Sequence, residues 1–581
     1  MMTSKLLLRF SLSSTAMPGL VMSFVARAAL LLTVLATPCE AFEHPEFIHR
    51  WQLDPDLKVS WVKDPDRRYK PVDLNGLNSS SKKRTVEQAR YIVRFAANIR
   101  YAGEHTVVLD TVLKRLAKKE NSRQVRLALL SAAIAVSDGE RADEIWGMAN
   151  DDLAAQSIVE RALIRWENPV AIEIWRSRLG DPAAAPALLI RSLGGMEVLG
   201  ESSDLPALAN IIESRAVPQT VRLAACRAYG AIADSGAEGL AQQVLQESSG
   251  LATLMCAYLL RNHTSNECSQ IIKPIAEGRD FASAALAIPT LARSNAVYFD
   301  RNAQGWIKHV DSSIRLAAIE ALRQSKSDES INTLAIGLED TVYEVRAAAL
   351  EALAFRSKVA ASRETIDTIV DHYLATGTHR SMEQIIQLVV HLHDHERCAR
   401  LIELLSHPRA EVYNAAAWAL EQLVTKSDIS FLVAILEHVS AATDAHFGGT
   451  EMTVPESVKL AFLFEILGKH QVKKADAMLQ KYIPKYIAPT VARAAAIWAL
   501  GRIWEDQANA QVTQKLSGRL NDYSPANPED QEVKYVCAIA MAMIAHPSTF
   551  ADIESYHDRP PAPVGVARGW ALKELNSKSN N

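Results

Sequence analysis

One short sequence pattern recurs through most of this 581-residue chain. It consists of a Val or Ile, usually followed by Arg, and then a run rich in alanine. Copies begin at Val221, Ile314, Val345, Val412 and Val491. The step from the second copy to the third is 31 residues. A repeat of roughly constant length is typical of solenoids, in which short units stack and each unit contacts only its neighbours.

Each copy has the spacing of one face of an α-helix. In the second copy the small and apolar residues are Ile314, Ala317, Ala318, Ala321 and Leu322. These positions follow the i, i+3, i+4, i+7, i+8 rule of an amphipathic helix. A polar turn and a second segment of the same periodicity follow, so each repeat is predicted to be a pair of helices.

The repeats resemble the HEAT family, including its divergent bilin-lyase-like branch. That family has an Asp, then Val-Arg, then an alanine-rich helix, and Asp340 with Arg346 fits this order. The resemblance implies that these two residues belong to a ladder between neighbouring repeats. Arg222 and Arg315 lack an Asp at the same offset, and Asp311 is a candidate substitute for Arg315. The implied fold class is all-α, a right-handed α–α superhelix of the HEAT/armadillo type.

The repeats also define a domain organisation. Residues 86–555 are expected to form about 12–14 helix pairs, with inserted loops near 440–455 and 521–531. The first of these loops is either a partner-binding insertion or a tolerated disordered loop. Residues 556–581 are expected to be a C-terminal tail with one short helix.

Residues 42–85 lack the repeat pattern and form an N-terminal extension. Their aromatic residues, Phe47, Trp51, Trp61 and Tyr69, are expected to cap the first helices of the solenoid, because a terminal repeat exposes an apolar end. A free arm is the alternative for this part. The polar run that follows is expected to be a linker.

The N-terminal 41 residues have the features of a cleaved secretory signal. The apolar run 28–36 follows Arg27 and precedes the small residues Cys39 and Ala41. A run of nine residues is too short to span a bilayer. The expected localisation is therefore extracytoplasmic, periplasmic or secreted, with no membrane span after cleavage.

Beyond the signal there are five cysteines, and an odd number cannot all pair within one chain. They are Cys226, Cys256, Cys268, Cys398 and Cys537. Because equivalent positions in stacked helices are about 8–10 Å apart, we expect buried, unpaired thiols. The chain has no C-x-x-C-H and no paired C-x-x-C motif, so the sequence does not support haem attachment or a structural zinc site.

One turn concentrates chemically active side chains. It carries His391, His393 and His395 together with Asp394 and Glu396. These types could supply zinc ligands, but the spacing matches no hydrolase motif, and a solvated turn between helices is favoured. The chain also lacks G-x-S-x-G, Walker and H-E-x-x-H motifs. No catalytic, cofactor-binding or metal residue is therefore assigned, and no cofactor is expected.

These features favour an exported, non-enzymatic scaffold that binds a protein or peptide on a concave surface. The alternative is an enzyme or accessory subunit of the HEAT-like lyase type, with a small-molecule or metal site in the groove. Nucleic acid is an unsuitable partner, because a net charge of −4 over 581 residues provides no basic stripe. Trp418 and Trp498 lie in alanine-rich helices and are expected to pack there rather than to bind a ligand.

Overall fold

A computed structural model describes residues 49–55, 57, 72–101, 103–118, 121–149, 152–247, 249–325, 327–524, 526–557 and 562–579. The predicted signal segment and the aromatic residues Phe47, Trp61 and Tyr69 lie outside these ranges. Every regular element within them is helical. None of the described helices is both long enough and apolar enough to cross a membrane.

The helices follow one another with short connections. The first eleven are α1 (Arg50–Leu53), α2 (Leu74–Leu77), α3 (Lys82–Arg94), α4 (Ala96–Tyr101), α5 (His105–Leu116), α6 (Arg123–Val136), α7 (Ala142–Gly147), α8 (Leu153–Arg165), α9 (Ile172–Leu179), α10 (Pro186–Leu199) and α11 (Leu205–Glu213). The next eleven are α12 (Gln219–Ile232), α13 (Glu238–Leu245), α14 (Ala252–Leu259), α15 (Asn266–Ala276), α16 (Phe281–Ser294), α17 (Ala296–Ile307), α18 (Ser312–Gln324), α19 (Glu329–Ile336), α20 (Tyr343–Arg356), α21 (Arg363–Thr376) and α22 (His379–His391). The last ten are α23 (Cys398–Leu404), α24 (Ala410–Leu423), α25 (Ile429–Phe447), α26 (Val454–Lys469), α27 (Asp476–Leu479), α28 (Thr490–Ile503), α29 (Ala510–Leu520), α30 (Gln531–Ile544), α31 (Thr549–Ser555) and α32 (Pro563–Ser579).

Short 3₁₀ turns precede or extend several of these helices. They are Pro169–Ala171, Ser202–Asp204, Gly337–Glu339, Ala360–Ser362, His395–Arg397, Lys473–Ala475 and Gln480–Tyr482.

Alternate helices form two layers. The even-numbered helices from α6 to α32 stack on one another in chain order, and we call them the alanine layer. Each packs against the odd-numbered helix before it, and these odd-numbered helices form the second layer. The pairs run without interruption from α5/α6 to α31/α32. The predicted all-α solenoid of helix pairs is therefore confirmed.

Small side chains allow helices of the alanine layer to approach closely. A Cβ added at Gly468 in α26 would lie 2.6 Å from the Ala499 Cα in α28. A Cβ added at Gly501 in α28 would lie 2.8 Å from the Ala540 Cα in α30. Both distances are shorter than a carbon–carbon contact, so only glycine fits at these two crossings without movement of the backbone.

Arginines near the start of alanine-layer helices connect neighbouring repeats. Arg315 in α18 donates to both carboxylate oxygens of Asp340, at 2.6 and 2.8 Å, and Asp340 lies just before α20. The same two-pronged geometry joins Arg222 to Glu247 and Arg493 to Glu529. Each arginine therefore pairs with an acid of the next repeat, in the connection that precedes the next helix of the alanine layer.

The ladder between neighbouring repeats that the resemblance implies is present for Asp340 but not for Arg346. The Asp340 carboxylate pairs with Arg315 of the preceding repeat, whereas Arg346 donates to the Asp340 carbonyl oxygen at 2.9 Å. Asp311 is not the ladder acid of Arg315. Its carboxylate instead accepts the Ser313 N–H and caps α18. The ladder arginine pairs with an acid of the next repeat. An Asp six residues before Arg315 is therefore not needed for the ladder.

Four predicted boundaries differ from the structure or need restating. The polar run expected to be a linker before residue 86 includes the start of α3, which begins at Lys82. The expected loop at 440–455 is helical up to residue 447, because α25 continues, and its buried Thr443 lies 3.0 Å from the Tyr482 hydroxyl. The connection to α26 is therefore only 448–453. Residues 521–530 connect α29 to α30. At the C-terminus α32 is 17 residues long and packs on α30, so it belongs to the alanine layer rather than to a tail.

Candidate functional site

The first described residues lie against the C-terminal part of the solenoid. The helix α1 packs on α26 and α28, and His49 contacts a residue 416 positions later in the chain. We call His49–Asp54 the arm. The expectation that Trp51 covers the first helices is wrong. Its helix α1 packs on α26 and α28, and its neighbours His49 and Arg50 contact Glu465 in α26 and Glu421 in α24.

Arg50 forms the closest polar contact of the arm. Its Nε donates to Glu421 Oε1 at 2.7 Å, and the Glu421 side chain in α24 is only 2% exposed. Partial burial by itself would lower the pKa of Arg50, but the hydrogen bond and charge of Glu421 outweigh that effect and raise it. Glu421 also has Lys469 Nζ at 3.5 Å. The arm therefore contributes a second cation to a carboxylate that is almost fully buried.

His49 lies on α26. Its ring stacks on Phe462, with the ring centroids 4.2 Å apart and an angle of 28° between the planes. Its Nδ1 is 3.4 Å from each carboxylate oxygen of Glu465, a residue with no exposed surface. Burial raises the pKa of Glu465, and the hydrogen bond from His49 opposes this increase only in part. At 3.4 Å the contact is longer than a typical N–H···O hydrogen bond, which is about 2.7–3.2 Å.

The remaining arm residues divide between buried and exposed. Trp51 is 4% exposed, whereas Leu53 in the same helix is 49% exposed. Asp54 Oδ2 lies 3.8 Å from Arg502 Nε, and the Arg502 guanidinium lies over the Trp498 ring at 5.8 Å. We call the surface formed by Glu421, Phe462, Glu465 and Arg502 the cleft. The arm thus contacts the cleft through His49, Arg50 and one terminal ion pair, and Trp51 is buried beside them.

The local sequence positions both buried acids rigidly. Thr453 and Glu456 form a reciprocal capping box that begins α26, and the helix is then almost entirely apolar up to Gly468. Glu465 interrupts this run, as Glu421 interrupts the alanine-rich run of α24. Neither acid was singled out from the sequence, although an isolated carboxylate in an apolar helix was the signal available. The sequence pattern also contained no indication that residues 49–51 would meet them.

The histidine-rich turn between α22 and α23 has a structural role in the described geometry. Asp394 accepts the Glu396 N–H at 3.1 Å and pairs with Arg397, which also reaches Asp371 at 3.0 Å. Its histidines do not converge with other candidate ligands, and the described ranges contain no group of three residues able to hold a metal ion. Asp394 therefore acts as a helix cap with an ion-pair partner.

The five cysteines of the described ranges are buried free thiols. Burial raises the pKa of Cys256 and of Cys268 to about 12 and that of Cys398 to about 11. At neutral pH these thiols are protonated, and they pack as small apolar side chains.

The described part of the chain is thus an α-solenoid of the HEAT type with its own N-terminal segment bound to the alanine layer. No model of a known protein family matches the chain, and no curated protein matches it. Among solved structures, yeast importin-β (Kap95p) is 12% identical with a TM-score of 0.47, and the match covers 87% of this chain and 72% of that one. Kap95p in a structure concerned with RanGDP is also 12% identical, with a TM-score of 0.47 and coverage of 87% and 71%. Kap121p bound to the SUMO protease Ulp1p is 10% identical, with a TM-score of 0.38 and coverage of 86% and 65%. These are similarities of helix arrangement.

Proposed function

We propose that this chain is a non-enzymatic scaffold that binds a segment of a protein partner on the face of the alanine layer that carries the arm. One observation supports this most directly: a short segment of the chain itself is bound there by stacking, ion pairing and burial of an aromatic side chain. These are the interactions by which extended peptides are generally held, with a few anchoring side chains providing most of the affinity.

The N-terminal end of the layer provides further room for such a segment. A groove of about 450 Å³ is lined by residues of α3 and α6, among them Val86, Arg90 and Leu127. A second groove of about 630 Å³ is lined by Arg100, Ile134 and other residues of α4, α6 and α8. Apolar floors with a few charged groups are typical of binding clefts. A long partner could therefore contact the layer at several repeats.

Site-specific photo-cross-linking tests the proposal. A photoreactive amino acid replaces Phe355 in the alanine layer, which is 38% exposed, and in a separate variant it replaces Thr368 on the exposed side of α21. We expect a discrete partner to cross-link at position 355 and not at position 368, because only the first belongs to the alanine layer. Equal labelling at both positions, or labelling only at 368, would contradict the proposal.

We also propose that the chain is exported, and the support is the apolar run 28–36 with the small residues that follow it. The N-terminal sequence of the protein recovered outside the cytoplasm tests this. Cleavage after Ala41 would give Phe42 as the first residue. A full-length chain confined to the cytoplasm would contradict export and leave the binding proposal intact.

A further inference from the structure

The arm and the cleft identify the kind of partner, if the proposed scaffold function is correct. We infer that the cleft binds a partner segment in which two consecutive basic residues precede an aromatic one, and that the arm occupies the cleft as an intramolecular competitor. The arm supplies His49, Arg50 and Trp51 in that order.

The chemistry of the cleft argues for basic ligands. Glu421 and Glu465 are 2% and 0% exposed and lie on adjacent helices of the alanine layer. An ionised carboxylate is costly to bury unless a cation or several hydrogen bonds compensate it. Arg50 compensates Glu421 well, at 2.7 Å. Because two such acids face one short segment, the cleft favours a ligand with two adjacent cations.

The fit of the arm is incomplete at one of these acids. Glu465 Oε1 accepts no hydrogen bond although it is buried, and the His49 ring nitrogen remains 3.4 Å from it. An arginine in place of His49 has a longer reach, a permanent charge and several donors, so it can satisfy both carboxylate oxygens. A partner with Arg-Arg-aromatic therefore matches the cleft better than the arm does, and this difference is what allows displacement.

The arm is also small enough to leave. The helix α1 contains four residues, and two of them, Gln52 and Leu53, are exposed. The chain connects it covalently to α2, so the arm competes at an effective concentration on the order of millimolar. A partner overcomes this advantage through higher affinity for Glu465 and through additional contacts along the layer.

Peptide binding to the full chain tests the inference. The probe is a fluorescein-labelled peptide of residues 47–55, measured by anisotropy against wild type and against the variant Arg50→Glu/Trp51→Ala, which removes the ion pair with Glu421 and the buried indole. Leu53→Ala is the matched control, because that side chain is exposed on the same helix. We expect the double variant to bind at least about tenfold more tightly than wild type or Leu53→Ala. A second peptide, which carries the change His49→Arg, should bind about fivefold more tightly again.

A charge exchange makes the interaction specific. Adding Glu421→Arg to the double variant should abolish binding of the unchanged peptide, and a peptide with the change Arg50→Glu should restore it. Circular dichroism confirms that each variant is folded. If a variant unfolds, hydrogen exchange on wild type replaces it: an excess of the peptide with His49→Arg should accelerate exchange of residues 50–54.

Each failure has a distinct meaning. Equal peptide binding by wild type and the double variant would overturn the competitor role. Dimers of wild type that Arg50→Glu/Trp51→Ala abolishes would also overturn it, because the arm would then occupy a second copy. If the double variant binds neither peptide while position 355 still cross-links a partner, the proposed specificity for a basic-aromatic segment is wrong and the scaffold function stands. Absence of both signals would overturn the two together.

Discussion

Two helices of the alanine layer, α18 and α28, have the same place in their repeats but different surroundings. Each begins with a ladder arginine, Arg315 in α18 and Arg493 in α28, and the residue five positions later differs. In α18 this residue is Glu320, with a side chain that is 53% exposed. In α28 it is Trp498, which is 2% exposed and lies on the helix against which the arm packs. The difference teaches that equivalent positions of the alanine layer are charged and exposed in one repeat but apolar and buried in another.

The ladder provides the largest expected effect and tests whether the two ends of the solenoid depend on it equally. Arg493→Met should destabilise the fold by about 4 kcal/mol, because it leaves Glu529 buried without its main cation. The Arg493 and Glu529 side chains are 2% and 0% exposed. Chemical denaturation at neutral pH measures the loss. The matched variant is Arg123→Met, which removes a similar pair with Asp152 at a site where the arginine is 68% exposed. It should unfold within error of wild type, and an equal loss would show that burial does not decide the strength of the ladder.

Two substitutions test the contrast between α18 and α28 directly. Trp498→Ala should cost about 3 kcal/mol, because it leaves a cavity where the buried ring lies beside Gly468 of α26. Glu320→Ala at the equivalent place should change stability by no more than about 0.5 kcal/mol, as is usual for exposed positions. Thermal unfolding of both variants gives the comparison. If the two changes prove equivalent, the Trp498 ring is not buried in solution.

Close helix contact sharpens the comparison further. Gly468→Ala should destabilise the fold by about 1–2 kcal/mol, because its new Cβ must displace the backbone of α28 at Ala499. Gly518→Ala in α29 has nothing within 4 Å of its added Cβ. It should stabilise the chain slightly, since alanine favours helix by up to about 1 kcal/mol over glycine. Melting temperatures that shift in the same direction for both would contradict the close crossing.

The smallest effect is a pair of opposite pH dependences. Burial alone would raise the pKa of Glu529, but the hydrogen bonds and charge of Arg493 outweigh it and lower that pKa. Its contribution is present above the unfolded pKa of about 4.3 and lost as pH falls through the folded value. Burial raises the pKa of Glu465, so its contribution is complete below about pH 4.3 and lost as pH rises through the folded value.

Melting curves between about pH 3 and pH 7 separate the two acids. Relative to wild type, Glu529→Gln should be most destabilising at the neutral end of this range and nearly neutral in effect at the acidic end. Glu465→Gln should gain on wild type as the pH rises. Parallel curves for the two variants would show that the two carboxylates do not differ in their environment.

The helix pairs were predictable because the spacing that defines them is local. Ile314 and Ala318 lie on one face of a helix whatever their neighbours, so the periodicity alone predicts the element. The ladder was predicted for Asp340 without its partner, since the repeat shows that Asp340 precedes a helix but not which arginine approaches it. The arm was not predictable in this way. Its closest ion pair joins residues 371 positions apart, and no local rule connects Arg50 with Glu421.

The buried thiols have a practical consequence for following how the solenoid opens. Only the thiolate reacts readily with alkylating reagents, so a folded repeat protects its cysteine. Cys226, Cys256 and Cys268 lie in successive repeats near the middle, whereas Cys537 lies in α30 close to the C-terminal end. Because each repeat is stabilised mainly by its neighbours, opening proceeds in segments rather than all at once. Mass spectrometry of chains labelled during mild denaturation would therefore show which segment fails first, without any engineered probe.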